Sequence, residues 1–164
     1  MQHRYVFLAA ALLAGCSHSS TMQLSADTMQ IATSAAPACG MAGAQGVAVR
    51  TAAIETIKHG FDGFVILGGQ AQNNVGVVGY TPTYAQTNAT VNAYGGNGYA
   101  MAYGQSNTMI SGGHPIIAGT HDQVLMVKMF KAGDPGAENA VSARATLGPD
   151  WKQRLSEGSL STCG

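Results

Sequence analysis

The chain has 164 residues, with eight Lys+Arg against eight Asp+Glu and only 10% charged positions, where a soluble domain usually carries about 25%. That balance excludes a nucleic-acid binder, which needs a basic patch to neutralise phosphates, and a highly charged disordered tail. A hydrophobic content of 46% suffices for one core, and 22 glycines are too many for a mostly helical chain.

His3 and Arg4 make a short positive start, and residues 5–13 form an apolar run. The run is too short to cross a hydrocarbon layer of ~30 Å, so residues 1–15 read as a signal peptide. It ends in Leu13-Ala14-Gly15-Cys16, which resembles the lipobox of bacterial lipoproteins. The resemblance implies that the Cys16 thiol is diacylated, that the leader is cleaved before it, and that the new amino terminus is acylated. Three acyl chains exceed the two signals that stable anchoring takes. Ser17, not Asp, follows the cysteine, which in that family implies sorting to the outer membrane. Loss of Arg4 leaves seven Lys+Arg against eight acids. Residues 16–26 are small and polar and read as a lipidated tether, with residues 27–164 forming one domain.

Once Cys16 carries lipid, Cys39 and Cys163 remain. An even pair in an oxidising compartment reads as one disulfide, with two free thiols as the alternative. Neither belongs to a CxxC motif, and two thiols without a neighbouring His make a poor zinc site.

Residues 27–34 alternate, placing Met29, Ile31 and Thr33 on one strand face. Residues 42–59 read as a helix with Val49, Ala53 and Ile57 in one stripe, Ile54 beside it, and Thr51, Glu55 and Lys58 opposite. Glu55 is spaced to pair with His59. Gly60 is placed to stop the helix in a left-handed conformation, with Phe61 covering its end. The continuous apolar run Phe64-Val65-Ile66-Leu67 reads as a central strand buried on both faces. Strand, helix and strand make a βαβ unit with a right-handed crossover. No G-x-G-x-x-G accompanies it, so it is not a dinucleotide site.

From Gly63 to His121 there is no Asp, Glu, Lys or Arg. Residues 75–80 have strand character. Tyr80, Tyr84, Tyr94, Tyr99 and Tyr103 surround Gly95-Gly96-Asn97-Gly98. A hairpin with tyrosines on one face fits, and a flexible low-complexity loop fits equally well. The composition approaches the uncharged type that associates through β pairing. Tyrosine offers contact area at little entropic cost, so this set is the candidate partner-binding surface; a structural hairpin face is the alternative. The insertion spans about residues 70–120, which leaves Met29, Ile31, Val49, Ile57, Val65, Leu67, Leu125, Val127 and Met129 to build the core.

Residues 123–130 return to strand character, with Leu125, Val127 and Met129 opposite Val124, Met126 and Phe130, and Lys128 interrupting the second face. Asp134-Pro135 reads as a helix start, the helix carrying Ala140, Val141, Arg144 and Leu147 up to Gly148. Pro149 opens a second short helix in which Trp151 and Leu155, one turn apart, face the core, with an exposed partner-binding anchor as the alternative. The expected fold is α+β: a small mixed sheet with a βαβ unit, an uncharged insertion and short C-terminal helices. The lipobox, the string Ala53-Ile54-Glu55-Thr56-Ile57-Lys58-His59-Gly60-Phe61-Asp62-Gly63-Phe64 and the insertion before the last strand resemble small α/β bacterial lipoproteins of unknown function. The resemblance covers residue 16 and about residues 42–68 and brings no catalytic motif.

No H-E-x-x-H is present, and Gly104-Gln105-Ser106-Asn107-Thr108 lacks the second glycine of a nucleophile elbow. His114 and His121, with Asp122, are the weak metal candidates. Asn88-Ala89-Thr90 matches a glycosylation acceptor by pattern only. The eight acids are scattered rather than paired for glycoside chemistry. The expectation is a non-enzymatic lipoprotein of the outer membrane, its domain in the periplasm or at the cell surface. Its partners are membrane lipid through acylated Cys16 and an envelope protein, with no nucleic acid and no cofactor, and its role is binding or scaffolding. Two rivals stand beside it: a surface-exposed adhesive or assembling protein using the Tyr/Gly segment, and a metal-binding or enzymatic protein using His114 and His121.

Overall fold

The computed structural model describes residues 16–158 and Cys163; the expected signal peptide, residues 1–15, lies outside the described residues. Two compact units emerge, one running up to Gly76 and resuming at Ala118, the other Val77–Ile117.

The first unit is built on strand alternation. β2 (Thr28–Ala35) buries Met29, Ile31, Thr33 and Ala35, and β8 (His121–Phe130) buries Gln123, Leu125, Val127 and Met129. The two strands are antiparallel, so Met29 lies opposite Val127 and Ile31 opposite Leu125. β3 (Gly63–Asn73) flanks β8 on the other side, with Phe64 opposite Met129. β1 (Ser17–Gln23) and β9 (Val141–Ser142) complete the sheet, ordered β1-β2-β8-β3-β9. β2 and β3 run in the same direction, and α1 (Gly40–Lys58) crosses between them, but β8 occupies the slot in the middle. Each neighbouring pair is therefore antiparallel, and the expected mixed sheet is antiparallel throughout.

α1 buries Ala44, Val47, Ala48, Ala52 and Ile54 with Thr51 and Thr56. The expected stripe is rotated, since Val49 and Ile57 are only partly buried and Thr51, expected to face outward, is inside. The helix packs against both the sheet and α2 (Ala143–Leu147), so two of its sides are covered. Its buried hydroxyls are satisfied: Thr51 donates to Ser19 Oγ at 3.3 Å and Thr56 to the Ala52 carbonyl at 2.7 Å. Glu55 pairs with Lys58 at 2.9 Å, and the expected partner His59 has its Nδ1 4.0 Å away. Gly60, at φ +80, ends the helix, with its N–H on the Ile57 carbonyl and the Phe61 N–H on that of Thr56, the double bond of a Schellman stop.

Three expectations are corrected in this unit. Residues 17–23 are no tether: they form strand β1, held by the β2 backbone and by a 2.8 Å hydrogen bond between the Ser19 and Thr33 hydroxyls. The apolar run of β3 is not buried on both faces; Phe64 is inside, but Ile66 is 44% and Leu67 55% exposed. The register against β8 slips between Ile66 and Gly68, and β9 covers only Gly63 and Phe64 of the outer edge. Asp134-Pro135 opens a turn instead of a helix, because Gly136 is left-handed at φ +92 and only a short 3-10 turn follows. The helix begins instead at Ala143, where Ser142 Oγ accepts the Ala145 N–H at 3.3 Å. α3 (Trp151–Glu157) follows, and Trp151 and Leu155 pack against the core as expected.

The second unit contains β4 (Gly76–Tyr80) paired with β7 (Pro115–Ala118), whose outermost residues Gly76 and Ala118 belong to the first unit, and β5 (Tyr84–Gly96) paired with β6 (Tyr99–Ser111). Of the two readings of this segment, the hairpin is the one formed. Its turn is Asn97-Gly98 at φ 53 and 93, the doubly left-handed pair that a two-residue hairpin loop requires. The insertion is narrower than about 70–120, since β3 extends to Asn73 and β8 starts at His121.

The core cluster lies wholly in the first unit, and the ends of the insertion are already joined by the Asn74 N–H on the Thr120 carbonyl at 2.9 Å. Replacing residues 77–117 by a short Gly/Ser linker is therefore expected to keep a cooperative thermal transition within about 1–2 kcal/mol of wild type, because closure entropy varies slowly with loop length. A variant without a cooperative transition would show that the second unit supports the core.

Candidate functional site

Three places carry the residues singled out by the sequence. The first is the start of β1. Cys16 is exposed and outside the disulfide, and its carbonyl accepts the Ala36 N–H at 3.0 Å. Next to it in sequence, Ser17 lies opposite Ala35 at the end of the β1–β2 pair. Cys39 and Cys163 form the expected disulfide across 124 residues, with a Cα–Cα distance of 5.6 Å. Cys39 immediately precedes α1, without a side-chain capping bond. A side chain at Gly43 would place its Cβ 3.2 Å from the Cβ atoms of both cysteines, so glycine lets the bridge lie on the helix. Arg50 donates to the Cys163 carbonyl at 3.2 Å.

The second place is the sheet face turned away from α1. Ser34 on β2 lies opposite both His18 on β1 and Asp122 on β8. Its hydroxyl donates to Asp122 Oδ1 at 2.7 Å, and Asn74 Nδ2 donates to Oδ2 at 2.7 Å. These bonds, with the Ser34 hydroxyl first, hold the Asp122 carboxyl below its ordinary range. The serine gives its proton to a carboxylate, so the row lacks the nucleophile–imidazole bond of acyl-transfer chemistry. His121 opens β8 in the first unit while His114 belongs to the second. Among the described residues no group of three or more His, Cys, Asp or Glu is placed to hold a metal ion. Further along this face Gln30, Leu67, Gly68, Gln70, Val124 and Met126 line an open depression of about 490 Å³.

The third place is the β5–β6 ribbon. Its register puts Tyr84, Tyr94 and Tyr103 on one face, as expected, together with Met101, Met109 and the amides of Asn88 and Asn107. These tyrosines are 65–69% exposed. Tyr80 lies in β4 and is likewise exposed; Tyr99 lies in β6, with its side chain outside the described residues. The opposite face carries Ala85, Thr87, Ala89, Val91 and Ala93 across from Ile110, Thr108, Ser106, Gly104 and Ala102. The tyrosine spacing does not reveal this second face, which the alanines at 85, 89 and 93 signal by their even spacing. Ser106 sits mid-strand opposite Ala89, not on a strand-to-helix turn, which removes the geometry of a nucleophile elbow. Asn88 is likewise mid-strand.

Comparison with protein-family models, curated proteins and solved structures finds no match.

Two outcomes follow from this geometry. Asp122 titrates lower in the folded chain than its reference value of 3.8, so the unfolded chain binds the proton first on acidification. Its contribution is present above about pH 4 and is lost as pH falls through the folded value. Urea midpoints taken between about pH 6 and pH 3 should fall more steeply for wild type than for Asp122→Asn; equal slopes would exclude the linkage. The disulfide closes a loop of more than a hundred residues, worth up to about 4–5 kcal/mol in the chain-entropy model. Denaturation with and without reductant should differ by a large part of that, and a peptide linking residues 39 and 163 should appear in non-reducing mass spectra.

Proposed function

We propose that the protein is a bacterial envelope lipoprotein, anchored by acyl chains on Cys16 and sorted to the outer membrane, with a non-catalytic binding or scaffolding role. The carrying observation is the run Leu13-Ala14-Gly15-Cys16, whose cysteine is exposed at the head of β1. The Cys39–Cys163 bridge supports an oxidising compartment. Charge gathers at the end of the sheet away from Cys16, while Asp122 lies at the Cys16 end with its carboxylate held by Ser34 and Asn74. Between residues 16 and 49 the only charge is Asp27, which lies at the far end of the β1–β2 hairpin from Cys16. Lys128, Lys131, Asp62 and Arg144 cluster at that same far end, around the close of β8 and the start of β3. Because β1 begins one residue after Cys16, acylation would bring the domain to the bilayer without a spacer. Among the described residues no helix is long and apolar enough to cross a membrane.

Cys16→Ser is expected to move the protein from the detergent-rich to the aqueous phase on phase separation, or to leave its leader uncleaved. Equal partitioning of mutant and wild type would overturn the anchor. The exposed, uncharged ribbon favours a second reading, an adhesive or assembling role at the cell surface, and loss of the segment to protease on intact cells would support it.

A further inference from the structure

We propose that the β5–β6 ribbon is a strand-pairing module and that its partner is the same ribbon of a second copy of this chain. The inference deepens the assembling role, rests on the exposure of the ribbon, and is independent of acylation. A two-stranded ribbon gains little stability alone in water, and three strands or a packed face are the usual minimum. Here each strand has 13 residues, and its side chains on both faces are exposed where described. Among the described residues the sheet contains only these two strands, so both outer edges present unpaired backbone groups.

Natural proteins defend such edges with charge, proline, bulges or short strands. None of these devices is present. β5 and β6 contain no charged residue and no proline. Their register runs unbroken from Tyr84 opposite Ser111 to Gly96 opposite Tyr99. Because Gly96 and Tyr99 flank a two-residue turn, they form a hydrogen-bonded pair, and such pairs recur at every second residue. Residues 85, 87, 89, 91 and 93 consequently direct their N–H and C=O groups outward from β5, and residues 102–110 at even positions do so from β6.

Self-pairing is favoured over a foreign strand by the side chains. An uncharged surface cannot select a partner by charge complementarity, nor does it repel its own copy. Asn88 lies opposite Asn107, and the Thr87 and Thr108 hydroxyls bond at 2.9 Å. Cross-strand like pairs of this kind are extended, not broken, when identical ribbons add edge to edge. With both edges open, pairing through unlike edges lengthens the array, and pairing through like edges forms a two-fold dimer whose other two edges stay open.

The test uses the mature chain carrying Cys16→Ser, which removes the lipid and keeps both units. Sedimentation velocity from about 1 to 100 µM is combined with amide hydrogen exchange across residues 84–111. Dimers or larger species are expected, with the outward amides protected in step with assembly. Val91→Pro combined with Ser106→Lys alters only outward positions of the two edges. It should raise the apparent dissociation constant at least about tenfold while the inward amides stay protected. Val91→Lys with Ser106→Lys repeats the test without proline, should the first pair disturb the ribbon. A wild-type chain that stays monomeric, or assembly that survives both double variants, would overturn the proposal. So would outward amides protected only when phosphatidylethanolamine vesicles or isolated envelopes are added, a result that would leave the adhesive reading standing.

Discussion

The fold depends on β8 lying between β2 and β3. That placement sets Val127 beside Met29, Leu125 beside Ile31 and Met129 beside Phe64, so three strands present one continuous apolar surface to α1. Every large side chain of the central cluster comes from these strands, from α1 or from the short α2. A one-residue slip of β8 would turn Leu125, Val127 and Met129 to the open face and bring Val124, Met126 and Lys128 inside, a lysine among them. The register is therefore specified by burial on one side only, and the open face is free to carry Gln30, Gln70 and the Ser34–Asp122 pair.

β8 can reach that slot only because the chain returns to the first unit after the insertion. The Asn74–Thr120 hydrogen bond closes the base of the excursion, and Gly119, at φ +115, lies where a side chain would meet the Asn74 carbonyl. Within the excursion the physical logic changes. The first unit hides its apolar residues under a helix and keeps its charges; the second has no charge and, among the described residues, no buried side chain. Its cohesion comes from backbone pairing and cross-strand contacts, and its large apolar side chains, among them Tyr84, Val91, Met109 and Ile110, face solvent. A long strand edge without protection is a hazard unless it is used, which gives the exposed ribbon a functional weight.

Much of the fold was legible in the chain. Period-two alternation located β2 and β8 and the buried sides of both, because each has a single face under the helix. Gly60 followed by Phe61 marked the end of α1 by turn chemistry alone. Asn97-Gly98 signalled the hairpin, although the low-complexity flanks matched a loop equally well, since composition does not report pairing. For the candidate site, the shared tyrosine face and the Cys39–Cys163 bridge were readable, the first from spacing and the second from counting thiols. The Ser34–Asp122–Asn74 contacts were not, because they join residues 88 and 48 positions apart.

What the sequence determined by itself was local: strand periodicity, the helix stop, the turn, the leader-like start and the absence of charge from Gly63 to His121. Tertiary structure decided everything that depended on a neighbour. Residues 17–23 are polar enough for a tether, yet they form β1 because β2 offers an edge whose buried Thr33 hydroxyl shares a hydrogen bond with that of Ser19. Leu67 is as apolar as a core residue, yet it is exposed because, beside the register slip, it lies on the sheet face that no helix covers. Thr51 is polar, yet it is buried because α1 is clasped on two sides and its hydroxyl finds Ser19. In each case the residue's own chemistry was ambiguous, and the surface brought against it by distant parts of the chain settled where it lies.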